Sequence, residues 1–164
     1  MLFRSVLTGI EMRGPAWRGF SPGGSKTLFR LPGGVAPLVP GAATCPPRPS
    51  RLCVTEAPVE AMSLAALEGS RPGTLYLAVA GGMGPETITA LEHLLAERSG
   101  DPAAVLVAAT NADAPGERYA EQLAELAGAA GVRWERQLPP GGHNDLNDAL
   151  RALRAPPRDK EREQ

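Results

Sequence analysis

Two carboxylates and an amide carry the strongest chemical signal in this chain. Glu56 directly follows a short apolar run at residues 51–55. Asp113 closely follows a second such run at residues 103–110, with Asn111 two positions ahead of it. Acids placed at the ends of two neighbouring strands converge on one point even when they lie far apart in sequence. Hard oxygen donors of this kind suit magnesium, which keeps several waters and completes its shell from substrate phosphates. Asn111 offers a carbonyl oxygen without charge, and Asp145, near the end of a later strand, adds acidity to the same edge. The alternative reading is that each acid simply caps the helix that follows it. Asp148 fits the cap better, whereas Glu56 and Asp113 taken together favour a site.

A strand–helix rhythm beginning near residue 51 is what must position these groups. Residues 51–55 form a strand and Pro58 opens a helix, with Val59, Met62, Ala66 and Leu67 expected on its buried face and Gly69 as its stop. Residues 74–79 form a second strand, leading into Gly81-Gly82-Met83-Gly84. Pro85 opens a helix with Ile88, Leu91 and Leu95 at helical spacing. Residues 103–110 are the most uniformly apolar strand and are expected at the centre of the sheet. A helix bearing Tyr119, Leu123, Leu126 and Ala130 follows. The strand at 132–138 carries Arg133, Glu135 and Arg136 and suits an edge, and a last helix spans 145–154.

Alternation of this kind predicts an α/β fold: a four-stranded, mainly parallel, Rossmann-like sheet with helices on both faces. A loop- or hairpin-rich segment, residues 1–50, precedes the domain at 51–154, and residues 155–164 form a charged tail. Such sheets place their working site beyond the carboxyl ends of the strands. That rule selects the loops at Glu56, at 81–84, at 111–116 and at 141–148.

Charge is unevenly spread along the 164 residues. Residues 1–51 hold seven of the 17 Lys and Arg but only one of the 18 Asp and Glu, so this arm carries about +6 and the rest about −7. A basic arm on an acidic body points to a polyanion partner. Aromatics stand among these charges: Trp17 beside Arg18, Phe20, and Phe29 beside Arg30. Arginines on phosphates with aromatics stacked on bases hold single strands, which makes Arg13, Arg18, Lys26 and Arg30 the candidate nucleic-acid contacts. A small hairpin whose aromatics pack on the body is the favoured alternative, and both can hold together.

Several other classes of function find little support. Cys45 and Cys53 form no CxxC pair and no zinc spacing, and Cys53 reads as a buried, reduced thiol. No apolar run approaches the roughly 18 residues that span a bilayer, and the first residues lack the hydrophobic region of a secretion signal. A cytoplasmic protein with no membrane contact is expected. Gly81–Gly84 lacks the Lys-Ser/Thr of a Walker loop and the spacing of a dinucleotide fingerprint. His93 reads as a surface residue, and His143 alone in a glycine loop is weak support for a base.

The run Val54-Thr55-Glu56-Ala57-Pro58-Val59-Glu60-Ala61 resembles the glutamate motif of toprim domains, shared by topoisomerases, bacterial primases and some nucleases. Asn111-Ala112-Asp113-Ala114-Pro115-Gly116 resembles the family's Asp-x-Asp motif with its trailing glycine. Gly142-His143-Asn144-Asp145-Leu146-Asn147-Asp148 resembles a later acidic segment of primase-like toprim proteins from plasmids and mobile elements. Earlier segments, from Thr8 to Pro15, Gly19-Phe20, Gly23-Gly24 and Lys26 to Phe29, are similar to that branch as well. No single motif is strong, but four stand in register.

The resemblance implies a toprim fold and a place in nucleic-acid metabolism, in plasmid or mobile-element replication or transfer. It casts Glu56 as general acid/base and metal contact, and Asn111 and Asp113, with Asp145 nearby, as the set for magnesium or manganese. Partners would be single-stranded DNA or RNA and a helicase, primase or relaxase. One departure matters, because the first motif aspartate is Asn111 here. A unit charge pair at 4 Å is worth about 4 kcal/mol at an effective dielectric near 20, before desolvation. Weakened metal binding is therefore expected. Two readings stay open: a primase-like phosphoryl- or nucleotidyl-transfer enzyme, and a lapsed module that binds nucleic acid or a partner protein. A nucleotide-binding α/β protein of unrelated type is a third, disfavoured by the missing glycine fingerprint. No zinc module is expected ahead of the domain, and the N-terminal segment is expected to begin partway into its family counterpart, as in a fragment or a partly decayed relative.

Overall fold

The computed structural model describes residues 11–14, 17–20, 27–34, 48–80 and 82–155. Two short strands, β1 (Glu11–Gly14) and β2 (Trp17–Phe20), pair antiparallel with Glu11 opposite Phe20. The main sheet is built from β3 (Phe29–Pro32), β4 (Arg51–Thr55), β5 (Thr74–Ala78), β6 (Val105–Ala108) and β7 (Arg133–Arg136), in the order β3-β5-β4-β6-β7. Helices α1 (Pro58–Leu67), α2 (Pro85–Ala96), α3 (Ala114–Ala129) and α4 (Leu146–Arg154) complete the domain.

All four expected strands are present and mutually parallel. Strand β4, rather than β6, occupies the middle position, and β7 is the charged edge foreseen for it. The middle strand of a doubly covered sheet buries both its faces. Leu52, Cys53 and Val54 are accordingly inaccessible to solvent. Leu52 and Val54 face a core completed by Leu91 and Leu95 of α2 and Leu123 of α3. Cys53, one residue out of phase, faces Ala61 and Leu64 of α1 and Leu146 of α4. The period-two alternation of a strand thus feeds two separate cores from a single apolar run.

A fifth strand joins the sheet. β3 lies antiparallel on β5, with Phe29 opposite Ala78 and Pro32 opposite Leu75. Its four residues alternate half-buried and exposed, so Phe29 and Leu31 pack while Arg30 faces out. The buried face of α1 also differs from the expected one. Met62 and Ala66 are exposed, and Glu60, Ala61, Leu64 and Ala65 are buried instead. The helix starts at Pro58, and Glu60 turns back to accept hydrogen bonds from the Glu56 and Ala57 N–H groups, both at 3.1 Å. This anchor at the third helical position sets the rotation of the helix.

From Arg51, at the amino end of β4, a polar network reaches the end of α1, β5 and the residue after β7. Arg51 makes two 2.8 Å bonds to the Glu68 carboxylate and a 3.0 Å bond to Gln137. The Tyr76 hydroxyl donates to Glu68 at 2.8 Å. Burial works to raise the Glu68 pKa, but Arg51, Tyr76 and Gln137 together hold it below the ordinary carboxylate value. Among the described residues no helix is long and apolar enough to cross a membrane.

Candidate functional site

The opposite, carboxyl end of the sheet gathers the acids. Glu56 leaves the end of β4 half-buried, and its Oε1 accepts the Asn111 N–H at 3.0 Å. This bond joins the loop after β4 to the loop after β6. Burial raises the Glu56 pKa above its ordinary value. The Asn111 N–H opposes that shift, the Asp113 charge adds to it, and Arg136 again lowers it. Glu56 and Asp113 thus follow two adjacent strands, with the Asn111 N–H bond joining their loops.

Asp113 serves also as the N-cap of α3. Its Oδ1 accepts the Gly116 N–H at 2.8 Å, while Oδ2 accepts from the Asn144 side-chain amide at 3.3 Å. The loop after β7 is held to the same place by the Ala112 N–H, which donates to the Asn144 carbonyl at 2.8 Å. Gly116 is required here, because a Cβ at that position would stand 2.2 Å from the Asn111 carbonyl oxygen. The trailing glycine of the motif lets the first turn of α3 fold tightly against the residue whose amide Glu56 holds.

Asp145 caps α4 by accepting the Asp148 N–H at 2.7 Å. Asp113 and Asp145 thus both serve as helix caps. Asp148 is not the cap expected of it: it stands inside α4, gives its N–H to the Asp145 cap, and is exposed with its carboxylate 3.7 Å from Arg151.

Sequence reasoning misses two participants. Glu60 is buried, and its carboxyl is pushed up to about 7 by burial first, with the charges of Glu56 and Asp145 adding to the shift against the two backbone N–H bonds that it accepts. Its signal is the capping-box spacing, a glutamate three residues after the position that precedes the helix. Arg136 reads as ordinary edge-strand charge, yet it spreads its donors over the end of β6.

Raising an acid's folded pKa costs stability once the unfolded chain has ionised. Glu60 should therefore make the protein progressively less stable as pH rises from about 4.5 to about 7, with no further loss above. Gln at position 60 keeps an acceptor for the two N–H groups and carries no charge. Glu60→Gln is expected to be more stable than the native chain by on the order of 2 kcal/mol at pH 8, with the gain vanishing near pH 4.5. Thermal unfolding of both proteins across this range checks it, and a gain independent of pH would sink the assignment.

Among the described residues no three His, Cys, Asp or Glu side chains come together closely enough to hold a metal ion by themselves. Glu56 and Asp113, with the side-chain carbonyl of Asn111, are the groups that would hold a magnesium drawing the rest of its shell from water and phosphate.

Of the four candidate nucleic-acid contacts, Lys26 and the side chains of Arg13 and Arg18 lie outside the described residues. Arg30 is exposed on β3. It lines a groove of about 830 Å³ along α2 with Thr27, Arg48, Pro85, His93 and Glu97. His93 sits on the surface of α2, 3.7 Å from Glu97. Gly84 is the N-cap of α2, so the glycine loop acts here as a helix entry. Cys53 is a free, buried thiol with its pKa pushed up to about 12 by burial, and at neutral pH it is protonated and unreactive.

A family model described as Toprim-like matches residues 53–150, a span that includes Glu56, Asn111, Asp113 and Asp145. A search of curated proteins found no match to the chain.

Proposed function

Because this chain belongs to the Toprim-like family, we propose that the edge formed by Glu56, Asn111 and Asp113 holds a divalent cation against the phosphates of a nucleic acid. The family places the chain in nucleic-acid metabolism. The finer reading is a primase-like role in the replication or transfer of plasmids or other mobile elements, acting on single strands. One observation supports the cation reading: the Glu56 carboxylate at the end of β4 accepts, at 3.0 Å, the N–H of Asn111, two residues before Asp113 in the loop after β6.

Magnesium or manganese, when bound by Asp113 and Glu56, would neutralise phosphate charge. The chain's own residues account for the rest. Asp113 is fixed by the Gly116 and Asn144 bonds and presents a charge that needs no reorganisation. Glu56, its pKa raised by burial, is the group suited to taking and returning a proton. Along α2, Arg30 and Arg48 offer guanidinium groups to a phosphate chain. Asn111 favours a second reading, in which the same edge binds nucleic acid or a partner protein without turnover, because the amide removes one charge from a site that faces a dication.

Manganese titration by calorimetry tests the reading, with Asp113→Asn as the comparison. Asparagine keeps an oxygen for the helix cap and deletes the charge, giving up the bond that Asp113 accepts from Asn144. The expected result is cation binding by the native protein, weakened at least tenfold in the variant. A second arm follows single-stranded DNA by fluorescence anisotropy, where reversing charge in Arg30→Glu with Arg48→Glu should weaken binding and flatten its salt dependence. A native protein that binds neither manganese nor single strands would overturn the proposal.

A further inference from the structure

We propose that Arg136 is a positioning residue of this site, holding the peptide through which the end of β6 reaches Glu56. The inference rests on the reading of the Glu56–Asp113 edge given above. Arg136 is the last residue of the edge strand β7, and its side chain is only 16 % exposed. Nη1 donates to the carbonyls of Ala108 at 3.0 Å, Thr110 at 3.1 Å and Gln137 at 2.9 Å. Nη2 donates to the Asn111 carbonyl at 2.9 Å and to Glu117 Oε1 at 2.6 Å, and Nε reaches the same oxygen at 3.3 Å.

The arrangement around residues 110 and 111 gives these contacts their meaning. The Thr110 carbonyl and the Asn111 N–H belong to one peptide group, which is planar and turns as a unit. Its oxygen is held by the Arg136 guanidinium and its N–H by the Glu56 carboxylate. A single peptide therefore lies between a cation and an anion with its dipole aligned to both. The next carbonyl, that of Asn111, is held by Arg136 too, so the turn that carries Asn111 and Asp113 is gripped on both sides. Glu117, in the first turn of α3, anchors the guanidinium from the other side and links the helix capped by Asp113 to β7. Only a planar fork with five donors serves so many acceptors at once. Lysine brings the charge with three donors around one point and cannot reproduce the grip.

The test compares the native chain with Arg136→Met, Arg136→Lys and Glu117→Gln by amide hydrogen exchange and by manganese affinity. In Arg136→Met the Asn111 amide should exchange at least tenfold faster, while the amides of Leu52 and Leu77 in the middle of the sheet keep their rates. Manganese affinity should fall several-fold alongside. Arg136→Lys should restore neither fully, and Glu117→Gln should accelerate the same amide by a smaller factor. If Arg136→Met does not fold, the lysine and glutamine variants carry the comparison alone. An Asn111 amide that stays protected, or amides that accelerate uniformly across the sheet, would overturn the proposal. If the native chain binds no manganese, the cation reading fails while the exchange data still decide the role of Arg136.

Discussion

Glu68→Ala is expected to lower the stability of the protein by about 3–5 kcal/mol, the range for removing one partner of a buried ion pair. The side chains of Arg51 and Glu68 are only 11 % and 17 % exposed, so this pair does not belong with surface bridges, which contribute little. Deleting the carboxylate would leave Arg51 with Gln137 as its main side-chain partner and the Tyr76 hydroxyl without its acceptor. For a chain of this length the loss corresponds to roughly 10 °C in unfolding midpoint. Replacing both partners by apolar residues, Arg51→Met with Glu68→Leu, should cost much less than the single change, because no charge is then stranded. The pH dependence has a definite sign. The Glu68 pKa is lowered in the folded state, so its contribution is present above the ordinary carboxyl pKa and is lost as pH falls through the folded value. The gap between native and Glu68→Gln stabilities should accordingly close in acid. Urea unfolding at neutral pH and again in acid measures both effects, and a loss below about 1 kcal/mol at neutral pH would show that the network contributes only packing.

Restoring the motif aspartate should have the largest effect on the site itself. Asn111→Asp adds a negative charge beside Asp113 and Glu56, worth about 4 kcal/mol per unit of cation charge at 4 Å and an effective dielectric near 20, before desolvation. Repulsion among the carboxylates consumes part of that gain, as the upward push of Asp113 on the Glu56 pKa already indicates. A tenfold to hundredfold rise in manganese affinity is the expected net result, equivalent to about 1.4–2.8 kcal/mol. Without metal the variant should be slightly less stable than the native chain at neutral pH, and saturating manganese should reverse the order by mass action. Calorimetry combined with thermal unfolding, with and without manganese, measures both. Equal affinities in the two proteins would mean that position 111 does not face the cation.

Which of these features can be seen in the residues alone follows from how far apart their causes lie. Strands β4, β5 and β6 are covered on both faces and so appear as unbroken apolar runs, and the charged alternation of β7 marks an edge. Glu56 and Asp113 stand out because strand ends are easily located. Strand β3 does not, because four residues ending in proline become a strand only when the edge of β5 is there to pair with. The exchange of centre between β4 and β6 has the same origin: both runs are apolar throughout, and only the pairing ranks them. On α1, Met62 and Ala66 match helical spacing as well as Ala61 and Ala65 do, so periodicity alone does not choose the buried side. The Glu60 anchor makes that choice and turns Ala61, Leu64 and Ala65 inward. Glu60 and Arg136 are legible as charges but not as participants, since the groups that give them their roles come from other elements.

The position of Arg136 also bears on the order in which the site can be assembled. A ribosome delivers Glu56 first, then Asn111 and Asp113, and the arginine that grips their shared peptide only with the last strand. A nascent chain halted after α3 would already hold both of those carboxylates and lack the clasp that fixes them. The steps that make the acidic edge rigid therefore come late in the synthesis of this domain, with β7 and then the Asn144 loop.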